Sequence, residues 1–152
     1  MRLAGERVTS APAPTGAVDA VSGCLMLVER RVFEHVGALD DRYFFGFEDL
    51  DFCLRARAAG IRTIVSPARA YHARGQSLPS HSPDRLYYAA RNHLRLAASV
   101  HGGCAGSARQ LGVLMLNVAS ALKASPSHAA PRLLAVAAGC FDFYRGRFGP
   151  RR

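Results

Sequence analysis

Long apolar runs, paired cysteines and secretion signals are all missing from this sequence. No stretch approaches the ~20 consecutive apolar residues that cross a bilayer, so we expect no membrane-spanning helix. The four cysteines form no C-x-x-C pair, which argues against a zinc knuckle or a redox motif and predicts buried free thiols. The N-terminus has no apolar core of the length that a signal peptide needs, which predicts a cytoplasmic location.

Acidic residues are also scarce. Only 11 Asp and Glu accompany 20 basic residues, of which Lys123 alone is lysine, and the net charge is +9. Such an excess attracts polyanions, including nucleic acid, anionic lipid head groups and the diphosphates of sugar nucleotides. A nucleic-acid function rests on charge alone because no recognition motif accompanies it, and we predict no nucleic-acid partner. The length of 152 residues suits one ordinary domain with one core.

The apolar pattern predicts a mixed order of elements. Residues 1–20 show neither a two-residue nor a 3.6-residue period, which predicts an irregular lead-in. Short apolar or alternating runs predict strands at 21–28 and 61–67, with a second extended piece at 68–72, and Gly23 is expected where another part of the chain comes close. Helical spacing, with glycine or proline punctuation, predicts helices at 29–37, 48–59, 83–100, 105–123 and 131–145.

The few carboxylates are concentrated at the start of one predicted helix, where Glu48, Asp49 and Asp51 lie within four positions. The helix macrodipole stabilises acidic residues there by ~0.3–1 kcal/mol each, so a purely structural explanation exists. The functional explanation is that a rigidly held, partly desolvated carboxylate accepts a proton, which makes Asp49 a candidate general base.

Two features of this stretch argue against a metal site formed by Asp49 and Asp51. Asp49 and Asp51 have the spacing of an Asp-x-Asp motif, but helical residues two apart point about 200° away from each other, and a metal needs converging oxygens. Asp51 is instead spaced for an ion pair with Arg55. His72 follows the second predicted strand, and taken alone such a residue is more often a hydrogen-bonded structural histidine than a metal ligand.

The span SGCLMLVERRVFEHVGALDDRYFFGFEDLDFCLRARAAGIRTIVSPARAYHARGQS, residues 22–77, resembles the second half of the catalytic domain of family 2 glycosyltransferases, near their rhamnosyltransferase-like branch. The shared elements are F-E-D-x-D, L-R-x-R-x-x-G, V-x-P-x-A and Y-H-x-x-G-x-S. The run YYAARNHLRL, residues 87–96, resembles the Y-x-x-R-N helix that follows in that group.

The resemblance implies roles for individual residues. Asp49 would be the base that deprotonates an acceptor hydroxyl, and Glu48 would support the acceptor site. His72 would ligate a divalent cation, Mn²⁺ or Mg²⁺, on the diphosphate leaving group. Arg74 and Arg91 would add positive charge near that diphosphate, although a solvated surface position is an equally good expectation for each.

The fold class implied is α/β: a partial GT-A domain, of the nucleotide-diphospho-sugar transferase type, without its N-terminal nucleotide-binding half and followed by C-terminal helices. Residues 21–100 would form the acceptor-side half of the catalytic domain, and 101–152 the amphipathic helices. We therefore expect a truncated or incomplete inverting enzyme of bacterial polysaccharide synthesis, inactive alone, whose partners are a nucleotide-sugar donor, a glycan or lipid-linked acceptor and a complementing N-terminal half.

The C-terminal helices leave two interpretations open. They pack on the catalytic part, or they dock on the inner face of the cytoplasmic membrane, since basic residues flank apolar segments that are too short to span it. The corresponding alternative for the whole chain is a non-catalytic membrane-surface or protein-interaction module derived from such an enzyme.

Overall fold

The computed structural model describes residues 3–4, 16–67, 78–79, 82–100, 103–123 and 129–151. This part of the chain is mixed α and β, with helix predominating. The helices are α1 (Arg30–Val36), α2 (Glu48–Ala58), α3 (Pro83–Val100), α4 (Gly103–Leu122) and α5 (Ala129–Tyr144). The strands are β1 (Leu3–Ala4), β2 (Gly16–Val18), β3 (Ala20–Val21) and β4 (Thr63–Val65).

The chain divides into two compact units. The first comprises residues 1–41 and 48–73, and the second comprises residues 42–47 and 74–152. This differs from the predicted division at residue 100, because α3 packs with α4 and α5 in the second unit. The short segment 42–47 belongs to the second unit although both of its sequence neighbours belong to the first.

In the first unit, β2 pairs antiparallel with β4, Gly16 opposite Val65, and β1 pairs parallel with β3. The prediction of an irregular lead-in over 1–20 is therefore wrong for Gly16–Val18. The β-branched Thr63–Val65 needs a ladder partner, and this small-residue segment provides it. Only residues 63–65 of the second predicted strand are extended in the ladder, and the predicted piece at 68–72 lies outside the described residues.

The predicted strand at 21–28 is also wrong, because regular extended structure ends at Val21. Leu25 and Leu27 are 65% and 101% exposed, so this apolar run does not bury a strand face. The backbone turns at Gly23, whose N–H donates to the side chain of Asp49 instead of to a neighbouring strand.

The two helices of the first unit follow their sequence signals closely. α1 ends before Gly37, and α2 begins at Glu48 as predicted. Gly60 adopts φ 77°, and two hydrogen bonds close the end of α2: Gly60 N–H to Arg57 and Ile61 N–H to Ala56. This pair of bonds is a Schellman motif, which favours glycine because a side chain strains the left-handed backbone.

The second unit is built on α3, which begins where the sequence predicts. The Ser82 hydroxyl accepts a hydrogen bond from the Arg85 N–H at 3.3 Å and caps the helix. The main hydrophobic cluster joins α3 to α4 and α5. Its buried members are Leu86, Tyr87, Tyr88, Ala90, Ala121, Ala135 and Val136. A smaller cluster consists of Leu94, Ala97 and Val113. None of the described helices is both long and apolar enough to cross a bilayer.

The prediction of buried free thiols is confirmed only in part, and the side chain of Cys104 lies outside the part of the chain that the structure describes. Cys53 is a buried free thiol and Cys140 is half-buried, whereas Cys24 is exposed. Burial raises the pKa of the Cys140 thiol, which keeps the thiol protonated and unreactive. Cys24 is exposed because the predicted strand that would have buried it does not form.

Candidate functional site

The carboxylate of Asp49 is held by two backbone N–H groups within the first unit. Gly23 N–H donates to Oδ2 at 2.8 Å, and Leu50 N–H donates to Oδ1 at 2.7 Å. A carboxylate offers about four acceptor positions, so two remain for other donors. Asp49 lies in the first turn of α2 and is only half-buried, which leaves an oriented anion at a helix N-terminus.

The backbone of Gly23 lies so close to Asp49 that a side chain at position 23 would be crowded. A Cβ built on Gly23 would lie 3.3 Å from the Asp49 Cβ, tighter than most real contacts. The predicted close approach at Gly23 is therefore confirmed, and its partner is the candidate base.

The neighbouring acids have different surroundings. Asp51 is buried and accepts a hydrogen bond from Arg55 Nε at 2.8 Å, which confirms the predicted pair. Asp49 and Asp51 thus face different partners, as the argument against an Asp-x-Asp metal motif requires. The Oε2 atom of Glu48 is buried and has no hydrogen-bond partner among the described residues, so one carboxylate oxygen beside Asp49 has acceptor capacity to spare.

Arg55 connects α2 to the C-terminal end of α1 through hydrogen bonds. Its guanidinium donates to the carbonyl oxygens of Val36 and Ala38, and it lies 5.4 Å from the centroid of the Phe52 ring. A cation at the C-terminal end of a helix interacts favourably with the macrodipole. The effect is to fix the helix that carries Asp49 within its own unit.

Two predicted site residues, His72 and Arg74, lie outside the described residues, so their roles stay predictions. Within the described ranges, no group of three or more His, Cys, Asp or Glu side chains is arranged to hold a metal ion. The residues described here do not by themselves make a cation site.

Arg91, predicted to bind a diphosphate, is buried in the second unit, with 1% of its surface exposed. Nη1 donates to the Gly149 carbonyl at 2.7 Å, and Nη2 donates to the carbonyls of Tyr43 at 3.0 Å and Arg42 at 3.3 Å. The expectation of a solvated surface position is wrong. A diphosphate would have to displace these carbonyls, so these contacts favour a structural role for Arg91, and diphosphate binding stays a prediction.

Asn92 is a residue whose role the sequence alone does not reveal. Its Nδ2 atom lies 2.8 Å from the Tyr43 carbonyl, 2.9 Å from that of Phe45 and 3.2 Å from that of Gly46. Arg91 Nε donates to Asn92 Oδ1 at 3.0 Å, which turns the amide so that its N–H groups face the loop. The Y-x-x-R-N motif pointed to this position without saying what the asparagine binds.

The comparison with protein families agrees with this arrangement of residues. The model described as "Glycosyltransferase like family 2" matches residues 7–99, more than half of the chain. The chain belongs to glycosyltransferase family 2. The match includes α2, which carries Asp49, and all of α3 except its last residue, and the predicted membership is confirmed.

Individual relatives in the family include two rhamnosyltransferases. The chain is 33% identical over 103 residues to the dTDP-rhamnosyl transferase RfbF of Shigella flexneri, a match that covers 62% of this chain and 34% of the relative. It is 43% identical over 56 residues to the rhamnosyltransferase WbbL of Escherichia coli K12, covering 37% of this chain and 20% of the relative. Similarity to rhamnosyltransferases, as predicted, is confirmed.

A third relative is the low-salt glycan biosynthesis hexosyltransferase Agl10 of Haloferax volcanii, which is 39% identical over 44 residues, covering 29% of this chain and 14% of the relative. The chain therefore spans about a third or less of the length of these relatives. No solved structure matches significantly.

Proposed function

We propose that this chain performs the acceptor-side chemistry of an inverting sugar transfer from a nucleotide-sugar donor to a hydroxyl acceptor, in the synthesis of a bacterial surface polysaccharide. The observation that carries the proposal is the oriented Asp49 carboxylate at the start of α2 in a family 2 chain. Because the Shigella relative is a dTDP-rhamnosyl transferase, dTDP-rhamnose is the first donor to test.

In the proposed reaction, Asp49 accepts the proton of the acceptor hydroxyl while the hydroxyl oxygen forms a bond to the anomeric carbon of the donor sugar. The bond from that carbon to the diphosphate breaks on the opposite face of the sugar, which inverts the configuration. General-base assistance of this kind contributes about 10²–10⁴-fold to rate. Glu48, whose Oε2 atom has no hydrogen-bond partner among the described residues, is proposed to bind another hydroxyl of the acceptor.

The donor side is proposed by resemblance alone. A divalent cation, when bound, would neutralise the departing diphosphate, and His72 is its proposed ligand together with groups from a complementing N-terminal half. The described residues do not complete such a site, so no step is assigned to the cation.

The test is a hybrid enzyme that carries this chain in place of the matched part of the Shigella relative. Transfer from dTDP-rhamnose is measured beside donor binding. Asp49→Asn keeps the shape and one acceptor oxygen, and it should lower turnover by about 10²-fold or more while donor binding is unchanged. The control is Asp84→Asn, another acid in a helix first turn, which pairs with Arg151 and should leave turnover unaltered. Equal turnover for the Asp49→Asn and native hybrids would reject the proposed base.

A second role is favoured by the exposed apolar surface of α4 and α5. More than half of each of seven large side chains is exposed there, and the sequence has no carboxylate between Asp84 and Asp142. These side chains are Leu111, Met115, Leu116, Leu122, Leu134, Phe141 and Tyr144. The one carboxylate on these two helices, Asp142, accepts a hydrogen bond from the Tyr87 hydroxyl, so the apolar face suits peripheral docking on an anionic lipid surface.

Vesicle sedimentation tests this docking. The chain should bind phosphatidylglycerol-containing vesicles, bind neutral phosphatidylcholine vesicles less, and lose binding as salt is added. Leu134→Asp with Phe141→Asp should abolish binding, whereas Leu27→Asp, a fully exposed leucine of the first unit, should not. Dimers in light scattering that the α5 double variant disrupts would assign the face to a second copy of the chain.

A further inference from the structure

All three nitrogen atoms of the Arg55 guanidinium make hydrogen bonds within the first unit. Nε donates to Asp51 Oδ2 at 2.8 Å, from one turn of α2 to the next. Nη1 donates to the carbonyl of Val36, and Nη2 donates to that of Ala38 at 2.9 Å. Asp51 is 7% exposed, so water competes little for its bond to the guanidinium. Arg55 therefore joins α2 to the segment that ends α1.

The backbone after α1 brings two carbonyls to this one guanidinium. Gly37, which lies between them in the chain, has φ 81° and ψ 178°, a conformation that is essentially restricted to glycine. The Gly37 N–H donates to the Phe33 carbonyl at 2.9 Å and closes the helix. The Phe33 ring also packs on Phe52 of α2, with centroids 5.3 Å apart. The contact of α2 with α1 thus depends on fixed backbone atoms.

The same helix carries the proposed base near its N-terminal end. Asp49 precedes Arg55 by six residues, which is about 9 Å along a helix axis. There Asp49 accepts a hydrogen bond at 2.8 Å from the N–H of Gly23, which does not belong to the helix. If the contact at Arg55 were lost, a tilt of α2 by only about 6° would move Asp49 by about 1 Å relative to Gly23.

We infer that Arg55 is a positioning residue, which holds the Asp49 carboxylate against Gly23 in the orientation that proton transfer requires. A displacement of about 1 Å at a reacting group can cost about 100-fold in rate. This inference rests on the proposed function of Asp49. Arg55 acts through α2 and itself contacts no substrate.

The first measurement is hydrogen exchange of the backbone amides of the full chain, followed by NMR. Gly23 is exposed, so the protection of its N–H depends on the hydrogen bond to Asp49. Arg55→Lys keeps the charge but has one nitrogen in place of three, so it cannot span Asp51 and both carbonyls. The exchange rate of Gly23 should rise about tenfold or more. Leu50, whose bond to Asp49 lies within α2, should keep its rate.

Arg57→Lys is the matched control. Arg57 lies on the same helix and pairs with Asp19 at 2.7 Å, but 64% of its side chain is exposed. Exposed pairs contribute little, so the exchange rate of Gly23 should stay native. A thermal melt checks that each variant is folded. If Arg55→Lys does not fold, Asp51→Asn with Arg55→Met takes its place, because that pair removes the buried charge together with its partner.

The second measurement is turnover in the hybrid enzyme. Arg55→Lys should lower kcat by about 100-fold with the donor KM unchanged. Arg57→Lys should keep the native kcat. Asp51→Asn should keep it as well, since asparagine retains an oxygen for Arg55 Nε and leaves both carbonyl contacts in place. A merely structural role of Arg55 would lower the folded fraction but leave Gly23 exchange and kcat native in the folded molecules, and that result overturns the inference.

The remaining outcomes separate this inference from the proposed function. Native exchange of Gly23 in Arg55→Lys overturns the inference whatever the kcat, and so does a native kcat with faster exchange. Equal losses in Arg55→Lys and Arg57→Lys also overturn it. If Asp49→Asn has no effect on turnover, the proposed base is rejected, and the exchange of Gly23 alone then decides whether Arg55 holds Asp49 in place.

Discussion

Arg91 carries a full positive charge into the interior of the second unit, where three backbone carbonyls and aromatic rings replace its water. The guanidinium carbon lies 5.4 Å and 5.1 Å from the ring centroids of Tyr87 and Tyr88, and 5.9 Å from that of Phe148. Cation–π contacts and a planar fork of donors are properties of arginine that lysine does not share. The residue therefore ties α3, the loop at 42–43 and the C-terminal segment together.

Arg91→Lys distinguishes this structural role from diphosphate binding. Lysine keeps the charge but cannot reach Gly149 and Tyr43 at once, so the free energy of unfolding should fall by about 2–3 kcal/mol. Chemical denaturation followed by circular dichroism measures it. Arg30→Lys, an exposed arginine paired with Glu34 on α1, is the control and should have no effect. A lysine variant as stable as the native chain would show that these contacts of Arg91 do not stabilise the fold.

At the level of elements, α3 and α5 cross closely because residue 139 is glycine. A Cβ on Gly139 would lie 2.4 Å from the Tyr87 carbonyl oxygen and 3.2 Å from the Arg91 backbone nitrogen. Both neighbours are backbone atoms of α3, which cannot yield as a flexible side chain can. The helices come this close because position 139 has only hydrogen in place of a side chain.

Gly139→Ala should therefore destabilise the chain by about 1–3 kcal/mol, the usual result of overpacking, despite the better helix propensity of alanine. Gly112→Ala on α4 is the matched control, because a Cβ there meets no atom of the described residues within 4 Å, and this alanine should stabilise the chain by about 0.5–1 kcal/mol. The midpoint temperature of each variant in a thermal melt, compared with that of the native chain, gives the sign of the change in stability. Stabilisation by both alanines would show that the two helices can separate without loss.

The elements also show which sequence signals are reliable. The boundaries of α1, α2 and α3 follow from local features: glycine at the ends, acids in the first turn and Ser82 as a cap. The strands depend on a partner elsewhere in the chain, and β2 lies in a segment whose own residues carry little β signal. The apolar run at 21–28 has a strand composition, but after Val21, which pairs with Ala4, it has no such partner in the described residues, so composition alone misled.

For the molecule as a whole, the sequence predicted the helix start that carries Asp49 better than it predicted the buried contacts of Asn92. Asp49 could be found because acids cluster at a helix start, and the approach of Gly23 because glycine interrupts an apolar run. Asn92 could not, since a buried amide is defined by carbonyls 46 to 49 residues away in the chain. Arg91 had a usable signal: it follows Tyr87 and Tyr88 at helical spacing, which places it on their buried face.

Stability at the level of the whole molecule should depend on pH through His93. Burial, and then the positive charge of Arg109, lower the pKa of His93 below its ordinary 6.5, so the folded chain favours the neutral ring that stacks on Phe47. Between the lowered pKa and 6.5 the unfolded chain binds more protons, and stability rises with pH there. The contribution is complete above 6.5 and is lost as pH falls through the folded pKa.

His93→Gln removes this titration and should flatten the curve of unfolding free energy against pH over that window. Urea denaturation from about pH 8 to about pH 5 measures it, and the native chain should lose more stability on acidification than the variant does. Carboxylates that titrate at lower pH affect both chains equally and cancel in the difference. His35→Gln, at an exposed position on α1, should keep the native slope. A native slope in His93→Gln as well would mean that the stacked ring does not change its protonation on unfolding, and that another group sets the acid sensitivity.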